Sequence, residues 1–176
     1  MTKKAFIDII RWLIYLLEII LFYVLERNCG LIPEIFGGRP IILIPVFISI
    51  AIFEKEYVSM FFGIIIGAFL DVSISGFIGS QTAFLFILGY ILGVLFTYFI
   101  DLNFLAFFLT SLIMIPVIIG YRFLFFYIIP GFDNIPYAFL HHLVPSVVYT
   151  AVISPVIYFV NRYIAYHIRF IGGGQN

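Results

Sequence analysis

The sequence predicts an all-α membrane protein, a six-transmembrane-helix bundle with both termini on the cytoplasmic side. Three observations predict it. Hydrophobic residues make up 64% of the chain and charged residues only 10%, which leaves too little polar surface to face water, so the solvent must be largely lipid. Apolar stretches approaching the roughly 17–25 residues of a spanning helix recur between short polar turns. Basic residues also divide unevenly between the two sides that such a chain defines.

The first helix is predicted over about 6–25, closed by Glu26, Arg27, Asn28 and Gly30. Asp8, Arg11 and Glu18 fall near one of its faces, as expected of a paired interfacial turn with Glu18 turned toward protein. The alternative reading of that face is contact with a partner helix. No A-x-A-like cleavage site follows this stretch, and Arg11 and Glu18 interrupt it, so it reads as a retained helix and not a signal peptide. A Gly- and Pro-rich turn follows. The second helix covers about 39–53, with Pro45 near its start, where a missing N–H costs little, and Arg39 placed to snorkel to the headgroups.

After the charged turn Glu54-Lys55-Glu56, the third helix runs about 57–72 and the fourth about 82–100. The fifth covers about 105–127, with a kink expected at Pro116 and Gly120. Residues 128–142, with two prolines and the adjoining His141 and His142, read as a loop lying on the bilayer. The sixth helix covers about 143–164, and residues 171–176 form a disordered tail. One integral membrane domain, about 1–170, fills the chain. With six spans the termini share a side. Placing them in the cytoplasm puts Lys3, Lys4, Arg11, Lys55, Arg162 and Arg169 inside and Arg27, Arg39 and Arg122 outside, as the positive-inside rule requires.

Several function classes are disfavoured. The net charge is +0, with no basic run to mark a nucleic-acid partner. The lone Cys29 permits no internal disulfide, and no His or Cys spacing suits a metal. Adjacent histidines do not share a helix face, so His141 and His142 are poor joint ligands. No nucleophile–base arrangement, deep carboxylate pair or phosphate-binding glycine loop stands out. We therefore expect no enzyme activity, no cofactor and no metal.

The residues that do stand out are structural. Gly63 and Gly67 lie four apart on one helix, as do Gly89 and Gly93 on the next, so two backbones can approach closely in lipid. The pairs read as packing within the fold, with partner docking as the alternative. Asp71 continues the first ladder at the helix end. Its structural reading is a carboxylate bonding the free N–H groups of the turn or of the fourth helix; its functional readings are a ligand or partner contact. Ser146, Thr150 and Ser154 form a hydroxyl stripe on the last helix, with Tyr149 beside it and Pro145 and Pro155 around it. These hydroxyls can bond across to a neighbour or back to their own backbone.

The order RPIILIPVFISIAIFEKE, FFGIIIGAFLDVSISGFIGSQTAFLFILGYILG, PSVVYTAVISPVIYFV resembles the rod shape-determining MreD family. The positions that carry the likeness are Arg39-Pro40, Gly63, Gly67, Asp71, Gly76, Gly79, Gly89, Gly93, Pro145 and Pro155, over roughly residues 39–163. The resemblance implies a non-catalytic, multi-pass subunit of the bacterial inner membrane, part of the elongasome that supports cell shape and sidewall peptidoglycan synthesis. The implied partner is an MreC-like bitopic membrane protein and, through it, MreB, RodA and a class B penicillin-binding transpeptidase. It also implies a fold like the S-components of energy-coupling-factor transporters, and that kinship supplies the rival function, a vitamin- or small-molecule-binding subunit. In the rival, Asp71, Ser73, Ser75, Gln81, Arg122 and the histidines would form the pocket. Arg39, Arg122, Ser146, Tyr149 and Thr150 are the candidates for an interface or pocket.

Overall fold

A computed structural model describes residues 3–27, 33–34, 37–72, 79–131 and 135–172. Among them the chain is helical except for short connections: α1 (Lys3–Arg27), α2 (Leu43–Phe53), α3 (Glu56–Asp71), α4 (Ser80–Tyr98), α5 (Phe104–Phe123), α6 (Ile135–Ala138) and α7 (Val144–Gly172). Three helical stretches are long and apolar enough to cross a membrane: Ser80–Tyr98, Phe104–Phe123 and Ile135–His167. Large apolar side chains face outward along these stretches, among them Ile87, Ile91, Leu109, Ile113, Val152 and Val156. A surface of this kind suits lipid.

The centre of the fold is its shortest long-range element. All 11 residues of α2 are buried, and α1, α3, α4, α5 and α7 all pack against it. A helix that is apolar on every face has no side to give to solvent and must be enclosed. At about 1.5 Å per residue α2 is roughly 16 Å long, about half the hydrocarbon thickness of a bilayer. It starts at Leu43, not at residue 39 as the sequence predicts. Residues 37–41 instead run alongside the start of α7, where Ile41 N–H donates to Thr150 Oγ1 at 3.0 Å and a side chain at Gly38 would collide with Pro145.

Cross-contacts show that successive long helices alternate in direction. Arg11 near the start of α1 meets Glu54 at the end of α2, and Arg27 at the end of α1 meets Val72 after α3. Tyr121 late in α5 reaches Ser80 at the start of α4, and Phe104 at the start of α5 stacks on Phe159 late in α7. The bundle thus has an Arg11 end and an Arg27 end.

Two expectations need correction. The region from 135 to 142 is not a loop: α6 passes through a π-helical turn, Phe139–Leu143, directly into α7. The wider register is seen in the bond from Val144 N–H to Phe139 O, five residues back, and it comes just before Pro145, which has no N–H to continue the normal ladder. A second π turn, Leu124–Ile128, extends α5. The last helix also passes residue 164 and continues through Gly172, so residues 171 and 172 are not tail. Residues 173–176, Gly76, Ser73, Ser75 and Cys29 lie outside the described residues.

Candidate functional site

The α3–α4 hairpin fixes one wall of the bundle. A Cβ at Gly63 would stand within 3.0 Å of Leu85 O, at Gly67 of Thr82 Cα, at Gly89 of Ser59 O and at Gly93 of Glu56 Cα. Each glycine therefore touches the opposite backbone, and the two ladders serve the same contact. Ser59 Oγ adds a 2.7 Å bond to Gly89 O. Dispersion across so close an approach is what holds helices together where both solvent and side chains are apolar.

Asp71 closes the open end of this hairpin. It is 2% exposed and accepts from Gly79 N–H, Gln81 N–H and Thr82 N–H, each at 3.0 Å, and from Thr82 Oγ1 at 2.6 Å. The first N–H groups of a helix have no intrahelical partner and carry the positive end of its dipole. A carboxylate from the neighbouring helix takes the place of a local cap. Gly79 precedes α4 at φ +97°, a left-handed conformation in which a side chain is strained. Four donors hold Asp71 to the start of α4, three on Oδ2 and one on Oδ1, which is the structural role. Gln81 does not join a pocket with it; its side-chain amide is buried without a hydrogen-bond partner.

The hydroxyl stripe on α7 is likewise turned to internal bonds. Thr150 Oγ1 donates to Ser146 O at 2.6 Å while accepting from Ile41 N–H. Ser154 Oγ donates to Ala151 O at 2.8 Å. That carbonyl is the one Pro155 leaves without its helical N–H. One helical step further, Asn161 is fully buried, and its Nδ2 donates to Glu18 Oε1 at 2.9 Å. The sequence reading missed Asn161, although it continues the Thr150–Ser154 face at a seven-residue spacing.

At the Arg11 end the charges are matched. Arg11 Nη2 donates to Glu54 Oε2 at 3.0 Å, Nε stands 2.6 Å from Glu54 Oε1, and Asp8 lies 3.0 Å away on its other side. Arg11 and Glu54 are both buried.

The Arg27 end is different. Here a cleft of about 260 Å³ is lined by Glu26, Arg27, Arg39, Arg122 and Ser146 over an apolar floor that includes Leu43 and Leu70. A smaller cavity of about 190 Å³ shares Ile41, Arg122 and Ser146 and adds Tyr127 and His142. Glu26 hydrogen-bonds the backbone N–H groups of Ile42 and Leu43 at the start of α2, much as Asp71 serves α4. Arg39 pairs with Glu34. Arg27 donates to Val72 O at 3.3 Å and lies over the Tyr23 ring. His142 Nδ1 is 3.0 Å from Gly37 O. Arg122 Nη1 is shielded from solvent and has no hydrogen-bond partner.

The structure thus brings together Arg39, Arg122 and Ser146 of the expected pocket residues, with Thr150 supporting the wall. Tyr149 is half-buried and off this lining, and His141 turns back to Tyr137, stacking on its ring at 4.0 Å. The sequence marks Glu26 and Arg27 as helix-ending residues and Arg27 as an outer-side charge; their charge next to an apolar run is the signal for the cleft. Among the described residues no group of His, Cys, Asp and Glu is placed to hold a metal ion. In comparisons with protein-family models, curated proteins and solved structures, none matches the chain.

Proposed function

We propose that the chain is a non-catalytic scaffold of the MreD kind: a six-span subunit of the bacterial inner membrane, both termini cytoplasmic, that docks the transmembrane helix of an MreC-like partner. The observation that carries this reading is an apolar groove of about 610 Å³ on the outer face of the α3–α4 hairpin. It is lined by small residues, Ala68, Gly79 and Ala83, and by the larger Ile64, Val72 and Phe86, with Asp71 and Thr82 at the hairpin's open end. A valley of small side chains between larger ones is what a second helix needs for close approach in lipid. The glycine ladders are engaged inside the hairpin, so the groove is separate from the packing that builds the fold. Through the bitopic partner the subunit would bear on MreB, RodA and the class B transpeptidase.

The test is depletion together with a groove variant. Loss of the protein is expected to round rod-shaped cells. Ala68→Trp, which fills the groove from outside, is expected to abolish co-purification of the partner with little change in thermal stability. Rod shape unchanged on complete loss counts against the reading. One observation favours a second reading, an S-component-like subunit binding a vitamin or other small molecule: the polar cleft at the Arg27 end. Native mass spectrometry of the purified protein separates the two, since a carrier retains a defined small organic molecule.

A further inference from the structure

We infer that the cleft at the Arg27 end is an anion site, in which the Arg122 guanidinium binds a phosphate group. A free phosphate ester in this cleft would deepen the second reading of the function; a phospholipid headgroup is compatible with either. Arginine is always charged and presents a planar fork of five N–H donors. Taking such a group out of water without a partner is costly, and proteins normally pair it. Arg11 shows how this fold does so, with carboxylates on both sides. Arg122 is not held this way among the described residues: Nη1 is shielded and unbonded, and the charge of Glu26 faces it without closing an ion pair.

The surroundings define the missing partner. Both cavities open against Arg122, so the space is next to the unpaired group. Arg27 and Arg39 line the same cleft; among the described carboxylates Glu34 pairs with Arg39 and Asp71 is bonded to the start of α4, while Glu26, which bonds the start of α2, keeps a shielded Oε2 without a hydrogen-bond partner and is the opposite charge that faces Arg122. Three arginines against the one carboxylate of Glu26 leave the lining net positive, and an anion entering it gains charge-assisted bonds in a low-dielectric setting. A phosphate matches the guanidinium fork with two parallel bonds. About 260 Å³ holds a phosphate and a small substituent, with the apolar floor of Leu43 and Leu70 below it. Two sources share this chemistry, a phospholipid headgroup and a free phosphate ester.

The experiment uses the full chain in dodecyl maltoside, wild type against Arg122→Met and Arg122→Lys. Native mass spectrometry reads any phospholipid kept through purification. Thermal unfolding reads the shift produced by inorganic phosphate and, separately, by dihexanoyl phosphatidic acid. The wild type is expected to keep a phospholipid or to gain stability with one of the probes, because a ligand of the folded state raises the midpoint. In Arg122→Met the adduct or shift is lost, with affinity down by roughly tenfold or more. Arg122→Lys keeps the charge but not the fork and falls between. A response to inorganic phosphate identifies the free ester; retention of, or response to, the lipid alone identifies the headgroup. Arg122→Met also deprives Glu26 of the charge that faces it, so the ligand shift of each variant is read against its own unliganded midpoint. The inference is overturned if the wild type neither retains a phospholipid nor responds to either probe, or if Arg122→Met behaves as the wild type does.

Discussion

The two ends of the bundle treat their arginines differently. At the Arg11 end, Arg11 lies between Glu54 and Asp8, and Glu18 meets Asn161. At the Arg27 end, Arg122 faces a cleft with a shielded nitrogen and no bonded partner. The same residue type is clasped by carboxylates in one place and leaves an N–H donor unbonded beside a cleft in the other. The difference teaches that a charge inside an apolar fold is informative through its partner, not through its presence.

The largest effect should come from breaking the matched end. Glu54→Ala strands the buried Arg11 guanidinium and is expected to cost about 3–5 kcal/mol, read by denaturation in mixed micelles. The double variant Arg11→Met/Glu54→Leu should recover most of that loss, since an apolar pair leaves no stranded charge. If Glu54→Ala unfolds like the wild type, the two ends do not differ in the way described. Next in size is Asp71→Asn. The amide places donors against the donors of α4, because Oδ2 alone accepts three bonds and Oδ1 the fourth. A loss of about 2–3 kcal/mol is expected.

Gly67→Ala sets a methyl group against Thr82 Cα. Backbone cannot swing aside as a side chain can, so the hairpin must open slightly, at about 1–3 kcal/mol. The same change at Gly120, where an added Cβ meets nothing within 4 Å, is the internal control and should be near neutral. The smallest effect belongs to Glu18→Gln. Its oxygen still accepts from Asn161, so the change should stay below about 1 kcal/mol. A larger loss would mean that the charge of Glu18 itself is used. Arg122→Met sharpens the comparison from the other side: it removes the charge facing Glu26 but no bonded ion pair, so its loss should be smaller than that of Glu54→Ala, read by the same denaturation.

Much of the fold was legible because its signals are local. The apolar stretches and the charged turn at residues 54–56 placed α1, α3, α4 and α5 to within a few residues of their ends. The glycine spacing located the α3–α4 contact, since only a backbone without Cβ atoms tolerates that approach. The spacing of Asp8, Arg11 and Glu18 placed them on one face, and all three make internal polar contacts. The start of α2 was not legible, because the contact of residues 37–41 with α7 joins segments more than 100 positions apart. Nor was the helical run into Val144: two prolines and two histidines look like a loop unless a π turn absorbs the missing N–H.

The candidate site divides in the same way. Sequence named Arg39, Arg122 and Ser146 from residue type and position, and it weighed Asp71 as either cap or ligand. Only the tertiary structure shows the four bonds that engage Asp71 and the missing bond that leaves Arg122 open. The sequence by itself determined that this chain is helical, apolar and closely packed at its glycines, because composition and spacing act along one helix at a time. Which charges are satisfied depends on what neighbouring helices bring within about 3 Å. That distance is set by packing across the bundle, and it alone separates a carboxylate engaged by four donors from a guanidinium nitrogen left unbonded.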